Sequence, residues 1–149
     1  MDYELDSLTN ADHRMDLADR PIRILRAMMR VMDLQRSFEF YIGALGMQLV
    51  RREDYPSARF TLAFLGYGPE DASTVLELTH NWDQAEAYVH GTAWGHIALA
   101  VSDIHAICAE VAEAGVNIVR PLGPMKHSAT LHAFIEDPDG YKIELIQEA

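Results

Sequence analysis

The feature that most constrains how this chain can fold is an internal repeat with an offset close to 70 residues. The matching segments are, in order, 27–34 (AMMRVMDL) with 97–104 (IALAVSDI), 63–65 (AFL) with 133–135 (AFI), and 76–78 (LEL) with 143–145 (IEL). Each match is short, but their shared order and nearly constant offset indicate that the chain contains two related halves.

Both halves contain the same series of predicted elements. An apolar run, 24–31 in one half and 94–101 in the other, predicts a mostly buried strand. Asp33 or Asp103 follows where a helix would begin, because an aspartate there accepts hydrogen bonds from first-turn N–H groups. Gly46 or Gly115 follows the predicted helix and suits a left-handed cap. The remaining predicted strands are 47–52, 60–65 and 74–79 in the first half, and 116–120, 130–135 and 142–146 in the second.

These elements predict an α+β fold built from two tandem βαβββ modules. The modules span 22–83 and 92–149 within one domain, 22–149, and residues 1–21 form an acidic N-terminal extension. A four-stranded sheet with one helix leaves its other face uncovered. We therefore expect the modules to pair around a cleft, either within one chain or between two, and the cleft is the expected ligand site.

Composition restricts the partners and the compartment. The formal net charge of −11 argues against nucleic acid, since phosphates would be repelled over most of the surface. No apolar stretch is long enough to span a membrane, and the N-terminus does not resemble a secretory signal. A single cysteine cannot form an internal disulfide. A cytoplasmic location is therefore expected, without membrane or nucleic-acid partners.

Three residues could carry chemistry. Glu77 and Glu144 occupy equivalent positions in the last strand of each half, and His96 begins the second half. Taken singly, such glutamates are usually solvated and such a histidine is usually structural. Repetition of the glutamate favours function, because two carboxylates converging in a cleft suit metal binding or acid–base catalysis. With His96 they form a nitrogen and oxygen set suited to nickel, zinc, cobalt or manganese.

Two further positions leave the interpretation open. The repeat partner of His96 is Arg26, whose protonated guanidinium cannot donate a lone pair to a metal. His132 lies in a predicted strand where the first half has Leu62, and it could line the pocket or be a core histidine. It could also serve as a substitute ligand or base.

The sequence resembles the bacterial, nickel-type glyoxalase I (lactoylglutathione lyase) family of the vicinal oxygen chelate superfamily. The resembling stretches are MRVMDLQRSFEFYIGALGMQLVR, LAFLGYGPE, VLELTHNW, GTAWGHIAL and AFIEDPDGYKIELI, which together cover nearly all of residues 24–148. The combination of ELTHNW with GTAWGHIAL is more specific to the glutathione-dependent lyases than DPDGYKIEL, which many proteins of the superfamily share.

The resemblance implies the vicinal oxygen chelate (glyoxalase/bleomycin resistance) fold, a homodimer and a divalent metal, nickel rather than zinc. It also implies isomerisation of the methylglyoxal–glutathione hemithioacetal to S-D-lactoylglutathione. Glu77, His96 and Glu144 match metal ligands, and Glu144 also matches the catalytic carboxylate. The residues that match binding positions for the glutathione part are Arg30, Asn81 and Lys126. Arg26 stands where the family has a fourth ligand, histidine or glutamine.

Three functions therefore remain open from the sequence. The first is a lactoylglutathione lyase that tolerates Arg26 and uses a metal held by the three matching ligands. The second is a metal-independent enzyme of the same fold that acts on another glutathione adduct, with Arg26 as the electrophile. The third is a non-catalytic protein that binds a small molecule.

Overall fold

Two four-stranded sheets form the fold in the computed structural model, which describes residues 21–149. The elements in chain order are β1 (Arg26–Arg30), α1 (Leu34–Phe38), a π-helical segment (Glu39–Ala44), β2 (Gln48–Tyr55), β3 (Phe60–Gly66), β4 (Val75–Asn81), β5 (His96–Val101), α2 (Ile104–Glu113), β6 (Asn117–Pro124), β7 (Leu131–Glu136) and β8 (Lys142–Gln147). The predicted acidic extension lies outside the described residues, except for Pro21.

Both sheets have the same strand order. The first sheet runs β1-β4-β3-β2 and the second runs β5-β8-β7-β6. In each, the first strand pairs in parallel with the last strand, and the other pairs are antiparallel. The parallel pair follows from the intervening helix, since parallel neighbours need a long crossover connection. The predicted α+β fold of two βαβββ units is confirmed.

Helix boundaries follow the predicted capping residues. The Asp33 and Asp103 side chains accept hydrogen bonds from Arg36 N and Ala106 N, at 3.2 and 3.0 Å. Gly46 and Gly115 adopt φ of 71° and 78°, the left-handed conformation predicted after each helix. The first helix differs from a regular α-helix, because it widens into the π-helical segment in which Phe40 and Tyr41 are buried.

The prediction that β1 and β5 are mostly buried strands is wrong for a single chain. In β1 only Met29 is buried, and in β5 every second residue, beginning with His96, is exposed. Side chains alternate between the two faces of a strand, so Met29 in β1 and Leu99 in β5 lie on the core side while Arg26 and His96 point away from it. An apolar sequence in these strands therefore does not indicate burial on both faces.

One apolar cluster joins the modules, and it includes Val31 and Tyr41 of the first and Ile135 and Tyr141 of the second. Tyr41 Oη donates to Asp137 Oδ2 at 2.7 Å, and Tyr141 Oη donates to the carbonyl oxygen of Arg30 at 2.9 Å. These contacts fix the two sheets relative to each other.

None of the helices in residues 21–149 has the length and apolar character needed to cross a membrane.

Candidate active site

The first sheet presents four of the predicted residues on one face, and we call Arg26, Arg30, Glu77 and Asn81 the first half-site. Strand alternation explains the grouping, because side chains two or four residues apart point to the same side of a strand. Met28 lies opposite Glu77 in the β1–β4 register, which puts Arg26 and Arg30 on the side of Glu77. The sheet therefore gathers a carboxylate, an amide and two guanidinium groups.

Arg26 forms ion pairs with two carboxylates. Its Nε lies 3.4 Å from Oε1 of Glu77, and Nη1 lies 3.6 Å from Oε1 of Glu70. The Arg26 side chain is 39% exposed and that of Glu77 is 17% exposed. The expectation that a solitary strand glutamate is solvated does not describe Glu77, because it is largely covered and paired with a cation.

Arg51 and Glu70 extend this charge network, and the sequence analysis did not identify either residue. Arg51 donates to both carboxylate oxygens of Glu70, at 2.9 and 3.0 Å, and its guanidinium lies 3.8 Å from the centre of the Phe64 ring. The hydrogen bond from Arg51 lowers the pKa of Glu70, and the same bond raises the pKa of Arg51. The internal repeat contained a signal for this position, since Arg120 occupies the equivalent place opposite Phe134.

The second sheet presents a smaller group, and we call His96, His132 and Glu144 the second half-site. Glu144 lies opposite Ala98 in β5 and opposite Phe134 in β7. His96 and His132 are two residues away from these partners, so their side chains point to the same side of the sheet as that of Glu144. Its carboxylate lies between two imidazoles. His96 Nε2 is 2.9 Å from Oε2, and His132 Nδ1 is 2.6 Å from Oε1.

His132 has features of both interpretations that the sequence left open, a core histidine and a residue that lines the pocket. The residue is 9% exposed, as a core histidine would be, yet it contacts the candidate catalytic carboxylate. Glu144 is 8% exposed, so it is not a solvated strand glutamate. His132 Nε2 is buried and has no hydrogen-bond partner among the described residues. His132 therefore belongs to the site through Nδ1 alone.

Of the predicted glutathione-binding residues, Arg30 and Asn81 belong to the first half-site and Lys126 belongs to neither. Arg30 is exposed at the end of β1, beside a cavity of about 200 Å³ whose walls include Tyr88, Trp94 and Tyr141. Asn81 donates from Nδ2 to Oη of Tyr88 at 2.9 Å. The last predicted residue, Lys126, is exposed in the turn between β6 and β7.

A larger cavity of about 560 Å³ lies near α1 and the 137–140 turn. It is lined by none of the candidate residues, so cavity size does not mark this site.

The candidate ligands have the chemistry of a metal site but are divided between the sheets. His96 Nε2 and Glu144 Oε2 are 2.9 Å apart, close to the separation of about 3 Å for two octahedral ligands with bonds near 2.1 Å. Glu77 is on the other sheet, and Arg26 cannot ligate. Within residues 21–149 of one chain, no three His, Cys, Asp or Glu side chains are gathered to hold a metal ion. The residues fit a divalent cation only as three ligands brought together from two modules.

Sequence comparison identifies relatives over most of the chain. A profile of the Glyoxalase/Bleomycin resistance protein/Dioxygenase superfamily matches residues 23–145. A lactoylglutathione lyase from Neisseria meningitidis serogroup A is 58% identical over 127 residues, which cover 85% of this chain and 91% of that protein. A lactoylglutathione lyase from Escherichia coli O157:H7 is 50% identical over 127 residues, covering 85% of this chain and 93% of that protein.

Solved structures of similar fold include two glyoxalases. Glyoxalase I from Zea mays superposes with a TM-score of 0.82 at 42% identity, over 85% of this chain and 45% of the maize chain. This chain thus spans about half the length of the maize enzyme. The trypanothione-dependent glyoxalase I from Leishmania major superposes with a TM-score of 0.75 at 45% identity, over 86% of this chain and 88% of that one.

Proposed function

Since the chain belongs to the Glyoxalase/Bleomycin resistance protein/Dioxygenase superfamily, and within it to the lactoylglutathione lyases, we propose that it isomerises the methylglyoxal–glutathione hemithioacetal to S-D-lactoylglutathione. The observation that carries this proposal is the contact at 2.9 Å between the exposed His96 and the buried Glu144, on the face of the second sheet that points away from the apolar core. It joins a nitrogen that can ligate a metal to a carboxylate that is largely shielded from water and is also held by His132.

A divalent cation is part of this proposal, with nickel favoured over zinc. Glu77, His96 and Glu144 would hold it, because imidazole and carboxylate together suit these ions. When bound, it supplies positive charge that stabilises the enediolate formed during the reaction. The Arg26–Glu77 pair opposes binding only weakly, since a partly exposed ion pair contributes about 1 kcal/mol or less. A structural zinc ion held by four protein ligands in a zinc-finger peptide contributes about 10 kcal/mol or more to folding, so a cation with three ligands can still compete with this ion pair.

Glu144 is the proposed proton carrier. Its carboxylate takes the proton from the hemithioacetal carbon that bears the hydroxyl group and returns it to the neighbouring carbon, the former carbonyl carbon. The reaction is an isomerisation: one hydrogen moves from the first carbon to the second, the hydroxyl hydrogen moves from the oxygen of the first carbon to that of the second, and no other reactant is needed. Burial of Glu144 supports this role, because a general base shielded from water keeps the abstracted proton from exchanging before it is returned.

Arg30, Asn81 and Lys126 are the proposed residues that hold the glutathione part. Arg30 and Lys126 are exposed cations on an otherwise acidic protein, so they can attract the carboxylates of glutathione. Asn81 offers an amide that already donates to Tyr88 beside the Arg30 cavity. These residues bind and orient the substrate and leave the reacting carbons to Glu144.

A homodimer with each site between two modules, located in the cytoplasm, completes the proposal. Glu77 lies on one sheet and the pair His96–Glu144 lies on the other, so the ligands need two modules to face each other. In the single chain the apolar residues Ile22, Ile24 and Leu25, which precede the edge strand β1, are 51–88% exposed. A second copy of the chain would cover them, since a soluble protein rarely leaves neighbouring large apolar side chains in water.

A second candidate function is favoured by one observation. Arg26 contacts Glu77 and Glu70, so its guanidinium could stand in for the cation in a metal-independent enzyme that acts on another glutathione adduct. An arginine stays protonated and can stabilise a developing oxyanion. This enzyme would be insensitive to chelators and would lose activity when Arg26 is replaced by leucine.

The experiment that tests the main proposal is thioester formation from preformed hemithioacetal, with wild-type protein and with Glu144→Gln. The amide of glutamine has nearly the same shape as the carboxylate and can still form hydrogen bonds, but it cannot act as a base. We expect wild-type turnover and a loss of about 100-fold or more in kcat for Glu144→Gln. Absence of thioester formation by wild-type protein, or full activity of Glu144→Gln, would exclude the proposed reaction or the proposed proton carrier.

A further inference from the structure

We propose that His132 is a positioning residue that fixes the carboxylate of Glu144 for proton transfer. This inference rests on the proposed function, because it concerns how the proposed proton carrier is held. The resemblance assigns no metal ligand and no base to position 132. The equivalent residue of the first module is Leu62. The interaction is therefore specific to the second module.

The contact is short, buried and formed by adjacent strands. His132 Nδ1 lies 2.6 Å from Glu144 Oε1, and both residues are less than one tenth exposed. His132 lies opposite Ile146 in the β7–β8 register, and Ile146 is two residues from Glu144. The side chains of His132 and Glu144 therefore point to the same side of the sheet and can meet. Phe134 packs its ring edge-on against the rings of both His132 and His96. The imidazole is thus held in place by packing as well as by the hydrogen bond.

The hydrogen bond leaves the two carboxylate oxygens with different roles. His132 contacts Oε1, and His96 contacts Oε2. A carboxylate with one oxygen tied cannot rotate freely, so Oε2 keeps its place beside His96. Hydrogen bonds to a ligating carboxylate commonly act in this way, and their loss costs about 10- to 100-fold in activity or metal affinity.

The proton of the contact can be assigned to Nδ1. An ionised carboxylate only accepts hydrogen bonds, so the nitrogen that faces it must donate. His132 Nε2 is buried and has no partner among residues 21–149. A doubly protonated ring would bury an unpaired N–H of a charged group there, which costs more than an unpaired atom of a neutral ring. The neutral tautomer with the proton on Nδ1 satisfies both conditions.

The two modules therefore hold their equivalent glutamates differently. Glu77 is paired with the guanidinium of Arg26 at 3.4 Å, and its side chain is 17% exposed. Glu144 is contacted on both carboxylate oxygens, by His96 at 2.9 Å and by His132 at 2.6 Å, and its side chain is 11% exposed. The more buried and more closely held carboxylate supports Glu144, rather than Glu77, as the proton carrier.

The test uses two substitutions at His132 and one matched control. His132→Leu introduces the residue that the first module has at this place, and it removes the hydrogen bond. His132→Asn keeps an N–H donor near the position of Nδ1. His105→Leu makes the same chemical change on the exposed side of α2. Thermal unfolding of each variant establishes that it is folded at the assay temperature.

We expect His132→Leu to lower kcat by about 10- to 100-fold while KM for the hemithioacetal stays within about twofold. His132→Asn should recover most of the lost kcat, and His105→Leu should match wild type. Unchanged kcat in His132→Leu overturns the proposal. An asparagine variant that is folded but as slow as the leucine variant also overturns it, because the donor would then not be what matters.

A measurement without substrate separates this inference from the proposed function. Nitrogen-15 chemical shifts of the histidine rings report which ring nitrogen carries the proton, and the His132 signals are identified by their loss in His132→Asn. The proposal predicts a protonated Nδ1 and a bare Nε2 in His132. A proton on Nε2 with a bare Nδ1 overturns the inference even if the lyase is active. If wild-type protein has no lyase activity, the proposed function fails while this result still decides how Glu144 is held.

Discussion

The guanidinium of Arg26 occupies, against Glu77, the position that the imidazole of His96 occupies against Glu144. Arg26 Nε lies 3.4 Å from Glu77 Oε1, and His96 Nε2 lies 2.9 Å from Glu144 Oε2. In both modules the contact joins the first residue of the first strand to the glutamate of the last strand. The repeat has therefore conserved the contact within this chain but has exchanged a possible metal ligand for a cation.

Arg26→His should restore a fourth ligand. The substitution removes the ion pair with Glu77 and places a ring nitrogen at the position equivalent to His96. We expect the affinity of metal-free protein for nickel to rise by about tenfold or more, measured by calorimetric titration. Arg26→Leu is the control, because it removes the ion pair without adding a ligand. Equal affinity in the histidine and leucine variants would show that the position does not reach the cation.

The architecture could be predicted from the sequence more completely than the contacts within the candidate site. The order of elements in both modules was predicted from the repeat and from the aspartate and glycine caps. It was predictable because each helix, strand and cap depends on residues close together in the chain, and because the repeat gives the same order twice. The contact of His132 with Glu144 was not predicted, since strand alternation alone does not distinguish a core histidine from a site residue. The pairing of Arg26 with Glu70 was also missed, because it depends on how the loop after β3 folds back.

Lys126→Ala should weaken substrate binding more than it slows the chemical step. The exposed ammonium group is proposed to bind a carboxylate of glutathione and to be remote from the reacting carbons. A charge-assisted hydrogen bond contributes about 1.5–3 kcal/mol, so KM should rise by about tenfold or more with little change in kcat. His127→Ala, in the same turn, is the control. A fall in kcat at constant KM would contradict this role.

Asp137→Asn should change how the stability of the fold depends on pH. Burial raises the pKa of Asp137 above its usual value, although hydrogen bonds from Tyr41 and from the Tyr141 and Asp139 backbones oppose the shift. A raised pKa in the folded state means that this carboxyl stabilises the fold at low pH, and that the contribution is lost as pH rises through the raised pKa.

The difference in unfolding free energy between wild type and Asp137→Asn should therefore shift in favour of wild type as pH falls from 7 toward 4. Denaturant unfolding at a series of pH values measures this difference. A shift in the opposite direction would mean that the hydrogen bonds from Tyr41 and the backbone outweigh burial. Either result identifies which effect governs the carboxyl that joins the two modules.

Ile24→Glu should break the proposed homodimer. Ile24 is 73% exposed in the single chain and lies just before the edge strand β1, so a second copy would bury it and a charge there would be desolvated. Sedimentation velocity should show a dimer for wild type and a monomer for the variant, with loss of turnover. Ala109→Glu, on the exposed side of α2, should remain dimeric. A monomeric wild-type protein with full activity would contradict the shared site.

The most direct test of the central claim is turnover of preformed methylglyoxal–glutathione hemithioacetal by chelator-stripped protein, before and after nickel or zinc is added. The account predicts no measurable turnover without metal and recovery on addition, with nickel more effective than zinc. That result would mean that Glu77, His96 and Glu144 suffice as protein ligands although Arg26 cannot ligate. Equal turnover with and without metal, or no turnover under either condition, would contradict a metal-dependent lyase.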